Sequence, residues 1–450
     1  MKQIHTLTLT IPRHALLIIC AMCLSTGPIQ SQIMTEKQQA ERYDSQLNER
    51  IHDLLPDLMK QSGIDMWLLI SREYNEDPIL RTFLPATWLN ARRRTIILFY
   101  RDQNSGEFEA LAVARYGIGK AIKSAWDKEK QPDQWARLLT LIEERDPKVI
   151  GLNYSNDFGI ADGIVKTDHE ALLAVLPQKY QERIVSAEPL AVSWIETRTV
   201  AEMETFASMV ALTHEIIAEA FSRKVITPGK TTSEDVVWWL RQKVTDLGLQ
   251  TWFHPTIDIQ RSDESLKSHI EAFSNGYSEK VIMPGDLLHC DFGISYMGLN
   301  TDCQQHAYVP RSAEQGVPEF LQKAFESGNR VQDIFTSQFS LGKTGNEILA
   351  ASLSSGRKEG LRPSIYTHPL GTYGHSAGTT LGMWDAQDGV PGSGDYALKY
   401  RTAYAIELNN TIFLPQWNKD IRIMLEEAGY FDAEGLRYVG GRQEAILLVD

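Results

Sequence analysis

The sequence predicts an α+β protein built from two folded parts, and three observations lead there. Over about residues 45–190 short apolar strands alternate with helical stretches, the pattern of an α/β layer domain. A long amphipathic helix then opens at Val200, and beyond Trp252 strands punctuated by Gly and Pro take over. The chain of 450 residues is 43% apolar and 23% charged, enough core for two or three domains and unlike disordered, collagen-like or coiled-coil chains.

Residues 1–31 stand apart from this plan. Lys2 and Arg13 are the only charged residues before Glu36, and the apolar stretch Ala15 to Leu24 leads to Ser25, Thr26, Gly27, Pro28 and Ser31. A basic start, a short apolar centre and a small polar exit describe a secretory signal peptide, so export to the periplasm or medium is expected. Neither Cys20 nor Cys23 follows a Gly, Ala or Ser, so no stable membrane anchor is expected. No run of 18 apolar residues occurs elsewhere. Removing Lys2 and Arg13 moves the net charge from −13 to −15, and an acidic chain is not a nucleic-acid binder. Only Cys290 and Cys303 then remain, which excludes a disulfide-built scaffold.

The N-terminal α/β domain, residues 45–194, begins with Leu47, Ile51, Leu54, Leu55 and Leu58 at helical spacing, ended by Gly63. Met66–Ile70, Thr95–Tyr100, Leu111–Ala114 and Val149–Asn153 read as strands, and Trp135–Glu144 as a helix. The run Arg92–Arg94 is expected on a solvated strand edge. The character changes near residue 195, where the second domain, residues 195–450, begins. Met203, Phe206, Val210, Ile217 and Phe221 form one apolar stripe, stopped before Pro228-Gly229, and Thr231–Ser233 with Glu234 starts the next helix.

The chemistry-bearing segment runs from His289 to Asp302, with Gly293 and Gly298 marking a hairpin between two strands. Asp291 and Asp302 then lie on neighbouring antiparallel strands, and two close carboxylates need a cation or a shared proton. Further donors follow: His375 among Gly374 and Gly378, Glu407 inside the apolar run Tyr404–Leu408, and Glu426 at the end of Ile421–Leu425. A carboxylate inside an apolar strand is seldom left unpaired, because burying a bare charge is costly. Two Asp, one His and two Glu suffice for two divalent ions with bridging carboxylates.

These five residues resemble the pattern of the pita-bread metallopeptidases, the superfamily of methionine aminopeptidases, aminopeptidase P, prolidase and the metal-free creatinases. Its members carry two Asp eleven residues apart, a Gly-His motif, a Glu in a strand and a final Glu. Asp291 and Asp302 show that spacing, and Glu426 lies nine residues before Gly435, which selects it over Glu427. The resemblance covers residues 195–450, with a preceding domain like that of the aminopeptidase P and prolidase branch.

It implies a C-terminal pita-bread domain after a smaller creatinase-like α/β domain. Asp291, Asp302, His375, Glu407 and Glu426 would be metal ligands, Glu426 bridging, and Glu407 the general base. It implies two divalent ions, Mn²⁺ first and Co²⁺ or Zn²⁺ next, a peptide substrate losing its N-terminal residue, Xaa-Pro among the bonds in view, and a homodimer as in many relatives. The other readings are a hydrolase of a non-peptide amide on the same scaffold and a non-catalytic binding protein of this fold.

The chain departs from the family where substrate is held. Ser274 stands where peptidase members carry a His, Trp384 near the place of another, and Gln304 where a Thr follows the second Asp. His254 and His368, each before a Pro, are the expected replacements at the pocket wall, and His289 and His306 the other candidates. If Asp291 and Asp302 are directly opposed, Cys290 and Cys303 are too, within disulfide reach; two buried free thiols is the alternative.

Overall fold

The helical pattern opening the chain becomes α1 (Glu36–Glu49) and α2 (Leu55–Ser62), joined by one π-helical turn, Arg50–Leu54. The computed structural model describes residues 33–266 and 279–450. The expected leader, residues 1–31, and Ser274 therefore lie outside the described residues. Among the described residues no helix is long and apolar enough to cross a membrane.

The first sheet has six strands: β1 (Met66–Arg72), β2 (Arg94–Arg101), β3 (Phe108–Val113), β4 (Lys123–Ser124), β5 (Ile150–Leu152) and β6 (Ile184–Ser186). Their order is β4-β3-β2-β1-β5-β6, with β1 antiparallel to β2 and parallel to β5. Helix α3 (Gln134–Arg145) is capped by Asp133, whose carboxylate accepts from the Trp135 and Ala136 amides, and α4 (Lys166–Val175) follows Val165 without a side-chain cap. Both sides of the sheet are apolar: Trp67, Leu69, Ile97 and Phe99 pack with α1 and α2, and Leu68, Ile96 and Leu98 with Leu138 and Ile142. The Arg92–Arg94 run opens β2, an interior strand rather than an edge; Arg92 and Arg93 are exposed, while Arg94 pairs with buried Asp168 at 3.4 Å.

Helix α5 (Glu188–Glu196) leads into α6 (Val200–Ala220), whose N-cap Thr199 forms a capping box with Glu202. The same Glu202 carboxylate takes Arg50 from the π-turn at 2.8 Å and Arg198 at 3.1 Å, all three buried. Arg50 also lies over the Trp194 ring at 4.3 Å, and Trp194 stacks on Phe83. A buried charge cluster of this kind is satisfied only in one arrangement, so it fixes how α1 meets α5 and α6. Residues 33–450 form one compact unit.

Helix α7 (Ser233–Asp246) precedes the second sheet, built from β7 (Thr256–Gln260), β8 (Leu287–Phe292), β11 (Cys303–Tyr308), β14 (Thr402–Leu414) and β15 (Lys419–Asp432). Two short strands, β9 (Ser295–Tyr296) and β10 (Leu299–Asn300), form the hairpin tip, and β12 (Pro363–Ile365) and β13 (His368–Leu370) border β14. The main order is β12-β14-β15-β11-β8-β7, with β16 (Gly435–Tyr438) on β15 and β17 (Leu447–Leu448) on β11. One apolar cluster joins this sheet to α6 and α7 through Phe206, Ile217 and Leu240. Another joins it to α8 (Glu319–Thr336) and α9 (Gly345–Lys358) through Phe325 and Leu349.

The hairpin register decides which residues meet. Tyr296 pairs with Leu299 around Met297 and Gly298, both at positive φ, and that register continues through Asp291 opposite Gln304. Asp291 and Asp302 are thus not directly opposed. Cys290 faces Gln305 and Cys303 faces Phe292, so the expected opposition of the two Cys is corrected, and both are buried free thiols. Burial pushes both thiols well above their ordinary value, so they sit as small apolar groups. Gly298 meets the αL requirement of this turn without a Cβ penalty. Gly298→Val is expected to lower stability by roughly 1–3 kcal/mol, read as a lower urea midpoint; an unchanged midpoint would show that another element sets the register.

Candidate metal centre

Register alone assembles an acidic row across the second sheet. Glu407 on β14 pairs with Glu426 on β15, Glu426 with Gln304 on β11, Gln304 with Asp291 on β8, and Asp291 with Thr256 on β7. Directly opposed residues of a ladder share a face, so three carboxylates and one carboxamide meet along one line. Asp302 joins them from the position just before β11, two residues from Gln304. The hairpin carrying it is pinned: Thr301 Oγ1 bonds the Ile294 amide at 3.1 Å and Thr213 Oγ1 at 2.8 Å, and Asn300 donates to the carbonyls of Gly371 and Thr372.

Strand β13 brings in the imidazole. His368 pairs with Ala405, two residues from Glu407, and its Nε2 lies 3.9 Å from Asp302 Oδ2, 4.0 Å from Glu407 Oε2 and 3.8 Å from Glu426 Oε1. Its Nδ1 is 3.0 Å from the Pro369 carbonyl, which accepts only if Nδ1 carries the proton. The Nε2 lone pair then points at the acids. Burial and the neighbouring His375 hold the His368 pKa down at about 4, which keeps this neutral form.

The expectation placed His375 among the ligands and His368 at the pocket wall; in the structure it is His368 Nε2 that faces the acids. His375 lies in the loop after β13, is exposed, and stands edge-on to His368 at 4.7 Å and to Trp252 at 5.1 Å between ring centres. A loop residue has no ladder to align it with Glu407, whereas His368 does. Gly374 is needed beside it, since a Cβ there would run into the Trp252 ring, whose Nε1 donates to the Thr301 carbonyl at 2.8 Å. His254 is placed elsewhere: its ring packs on Trp238 of α7, and its Nδ1 faces Arg241 at 3.2 Å. Trp384 is exposed.

His289 and His306 are placed by hydrogen bonds. His306 is buried with Nδ1 on the Leu288 carbonyl and Nε2 accepting from the Met424 amide, and burial lowers its pKa to about 3. It is a structural histidine. His289 lies between Asp258 Oδ2 at 3.2 Å and Gln304 Oε1 at 2.9 Å. Gln304 Nε2 in turn donates to Glu407 Oε1 at 2.6 Å and Glu426 Oε2 at 2.9 Å. Asp258 and this chain of contacts were not anticipated from the sequence; the only signal was the period-two spacing of His289 from Asp291 and of Gln304 from Asp302.

The donor set fits divalent ions. Asp291 Oδ1, Asp302 Oδ1, Glu426 Oε1 and His368 Nε2 are buried without a hydrogen-bond partner. Three acid oxygens stand 3.8–4.0 Å from an imidazole lone pair, too far for hydrogen bonds and right for donors around one ion. Asp302, His368 and Glu426 also form a group of donor atoms within 4.8 Å of one another. Burial raises the pKa of Asp291 to about 7, with the Asp258 charge adding to it, and those of Asp302, Glu407 and Glu426 well above the ordinary range, where repulsion from the neighbouring acids adds to it. Neutral acids or a bound cation are the two ways to relieve that repulsion.

The pH dependence has a definite sign. Folded-state values lie above unfolded ones, so the stabilisation from holding these protons is complete below the ordinary Asp value of 3.8 and is lost as pH rises through about 7 at Asp291. The chelated protein is expected to lose melting temperature relative to the Mn²⁺-loaded protein as pH rises from about 5 to about 8. A gap between the two that stays constant across this range would remove the acidic cluster as its cause.

Residues 205–428 match the family description Metallopeptidase family M24. No curated protein matches the chain. Among solved structures, X-Pro aminopeptidase from Thermotoga maritima MSB8 superposes with a TM-score of 0.61 at 15% identity, covering 87% of this chain and 100% of that one. Xaa-Pro dipeptidase from Bacillus anthracis gives 0.57 at 16% identity, covering 92% and 100%. Prolidase from Pyrococcus furiosus gives 0.53 at 15% identity, covering 86% and 99%. With the acidic row in its second sheet and this match across it, residues 205–428 form a metallopeptidase family M24 domain, and the chain has the pita-bread fold.

Proposed function

We propose that the chain is a dinuclear metal-dependent aminopeptidase or dipeptidase that removes an N-terminal residue, with Xaa-Pro peptides the first substrates to test. The observation that carries this reading is the convergence of four partnerless buried donors, three from carboxylates and one from an imidazole. The names of the structural neighbours, X-Pro aminopeptidase, Xaa-Pro dipeptidase and prolidase, support the substrate class.

Asp291, Asp302, His368, Glu407 and Glu426 would hold the ions. Divalent ions, when bound, polarise the scissile carbonyl and acidify water. Mn²⁺ suits a set of carboxylates with one imidazole and no thiolate, with Co²⁺ or Zn²⁺ next. Glu407 is the base: its side chain is 17% exposed against 5% for Asp302 and 1% for Glu426, so it is the one of these three acids open to water and substrate. Its Oε1 is held by Gln304, which orients the carboxylate. His375 and Trp252 form the neighbouring wall, an exposed imidazole beside an aromatic face. Export rests on the charge and apolar pattern of residues 1–31.

Glu407→Gln keeps the shape of the side chain and removes the base. It is expected to lower kcat on Xaa-Pro peptides at least about 100-fold even at Mn²⁺ concentrations raised until the variant is loaded. The measurement is a peptide-library digest followed by mass spectrometry, with metal content determined on the same samples. Cleavage by the variant at the parent rate, or no cleavage by the parent with Mn²⁺, sinks the reading.

A further inference from the structure

Gln304 occupies the middle of the acidic row, and its two amide hydrogens go to two different carboxylates, Glu407 Oε1 at 2.6 Å and Glu426 Oε2 at 2.9 Å. With the acids ionised, charge fixes which way the carboxamide points. Turned over, it would set its oxygen against both acids and its NH₂ against His289. In the observed orientation Oε1 lies 2.9 Å from His289 Nε2, and Asp258 holds the far side of that ring.

The two places for an ion are therefore unequal. One place is complete: Glu407 Oε2 and Glu426 Oε1, the oxygens that Gln304 leaves alone, face His368 Nε2 together with Asp302 Oδ2. The other place lies between Asp291 and Asp302, whose Oδ1 atoms have no partner. The second Glu426 oxygen, Oε2, already accepts an N–H of the carboxamide, which draws on its donor strength toward an ion there.

We propose that Gln304 makes the two ions bind unequally: the first fills the His368–Asp302–Glu407–Glu426 pocket with Gln304 in place, and the second must compete with its N–H for Glu426 Oε2. This deepens the metallopeptidase reading and rests on it. Gln304 is a positioning residue in this scheme, since it touches the ligands and not the ion. The consequence is a chain that carries one ion over a range of metal concentration and completes its centre only above it.

The test is a Mn²⁺ titration of the metal-free full chain by equilibrium dialysis with metal analysis, with EPR to separate isolated from spin-coupled Mn²⁺. The wild type is expected to take its first ion roughly tenfold or more tighter than its second, with coupled signal appearing only in the second step. Gln304→Ala and the volume-keeping Gln304→Leu are expected to narrow that gap by roughly tenfold. Gln305→Ala is expected to leave it unchanged, because Gln305 faces Glu427 instead. Two equally tight steps in the wild type overturn the proposal even if neither Gln304 variant folds. An unchanged gap in both Gln304 variants also overturns it, as does a single step in all of them. A wild type that takes up no ion fails the metallopeptidase reading as well, whereas one that binds two ions equally and cleaves peptides fails this proposal alone.

Discussion

Everything at the centre depends on one constraint, the strand register that lines up Glu407, Glu426, Gln304 and Asp291 across four neighbouring strands. Three of these are acids in a buried sheet, which desolvation alone would forbid as bare charges. The ladder holds their backbones in place whatever their protonation, so the repulsion cannot be relieved by moving apart. It is relieved by N–H donors, by protons or by cations. Gln304 supplies the first, and the partnerless oxygens of Asp291, Asp302 and Glu426 are where the last would act.

The surroundings keep that register from slipping. The turn at Met297–Gly298 sets it, and the hairpin beyond β8 is tied to α6 through Thr213 and to the His375 loop through Asn300. Trp252 closes the arrangement by lying against Gly374 while donating to Thr301. Further out, Glu202 gathers Arg50 and Arg198 at the junction of α1, α5 and α6, so the first sheet meets the second in one defined pose. A site on strands, supported by such ties, is held more firmly than one built on loops.

Much of this was legible in the sequence. The strands and long helices stood out because apolar periodicity reports burial directly, and α6 and α7 begin at Thr199 and Thr232 as the capping residues imply. Asp291, Asp302, Glu407 and Glu426 stood out because acids inside apolar runs are chemically anomalous. Less legible was pairing. An Asp291–Asp302 opposition centres the hairpin short of its true turn, so each residue of β8 finds a different partner and the closeness of Cys290 and Cys303 is lost. Choosing between His368 and His375 needed the same information, since only the pairing of β13 with β14 tells which imidazole is carried toward Glu407.

The sequence by itself determined the α+β class, the family resemblance and the chemical type of the site, because residue type and local spacing are properties of the chain alone. The tertiary structure decided the partners: Gln304 between two acids, His289 between Gln304 and Asp258, and His368 facing the carboxylates. Those contacts join residues up to 122 positions apart, as Gln304 and Glu426 are. Separations of that size are closed by strand pairing and packing, and neither leaves a trace in local spacing.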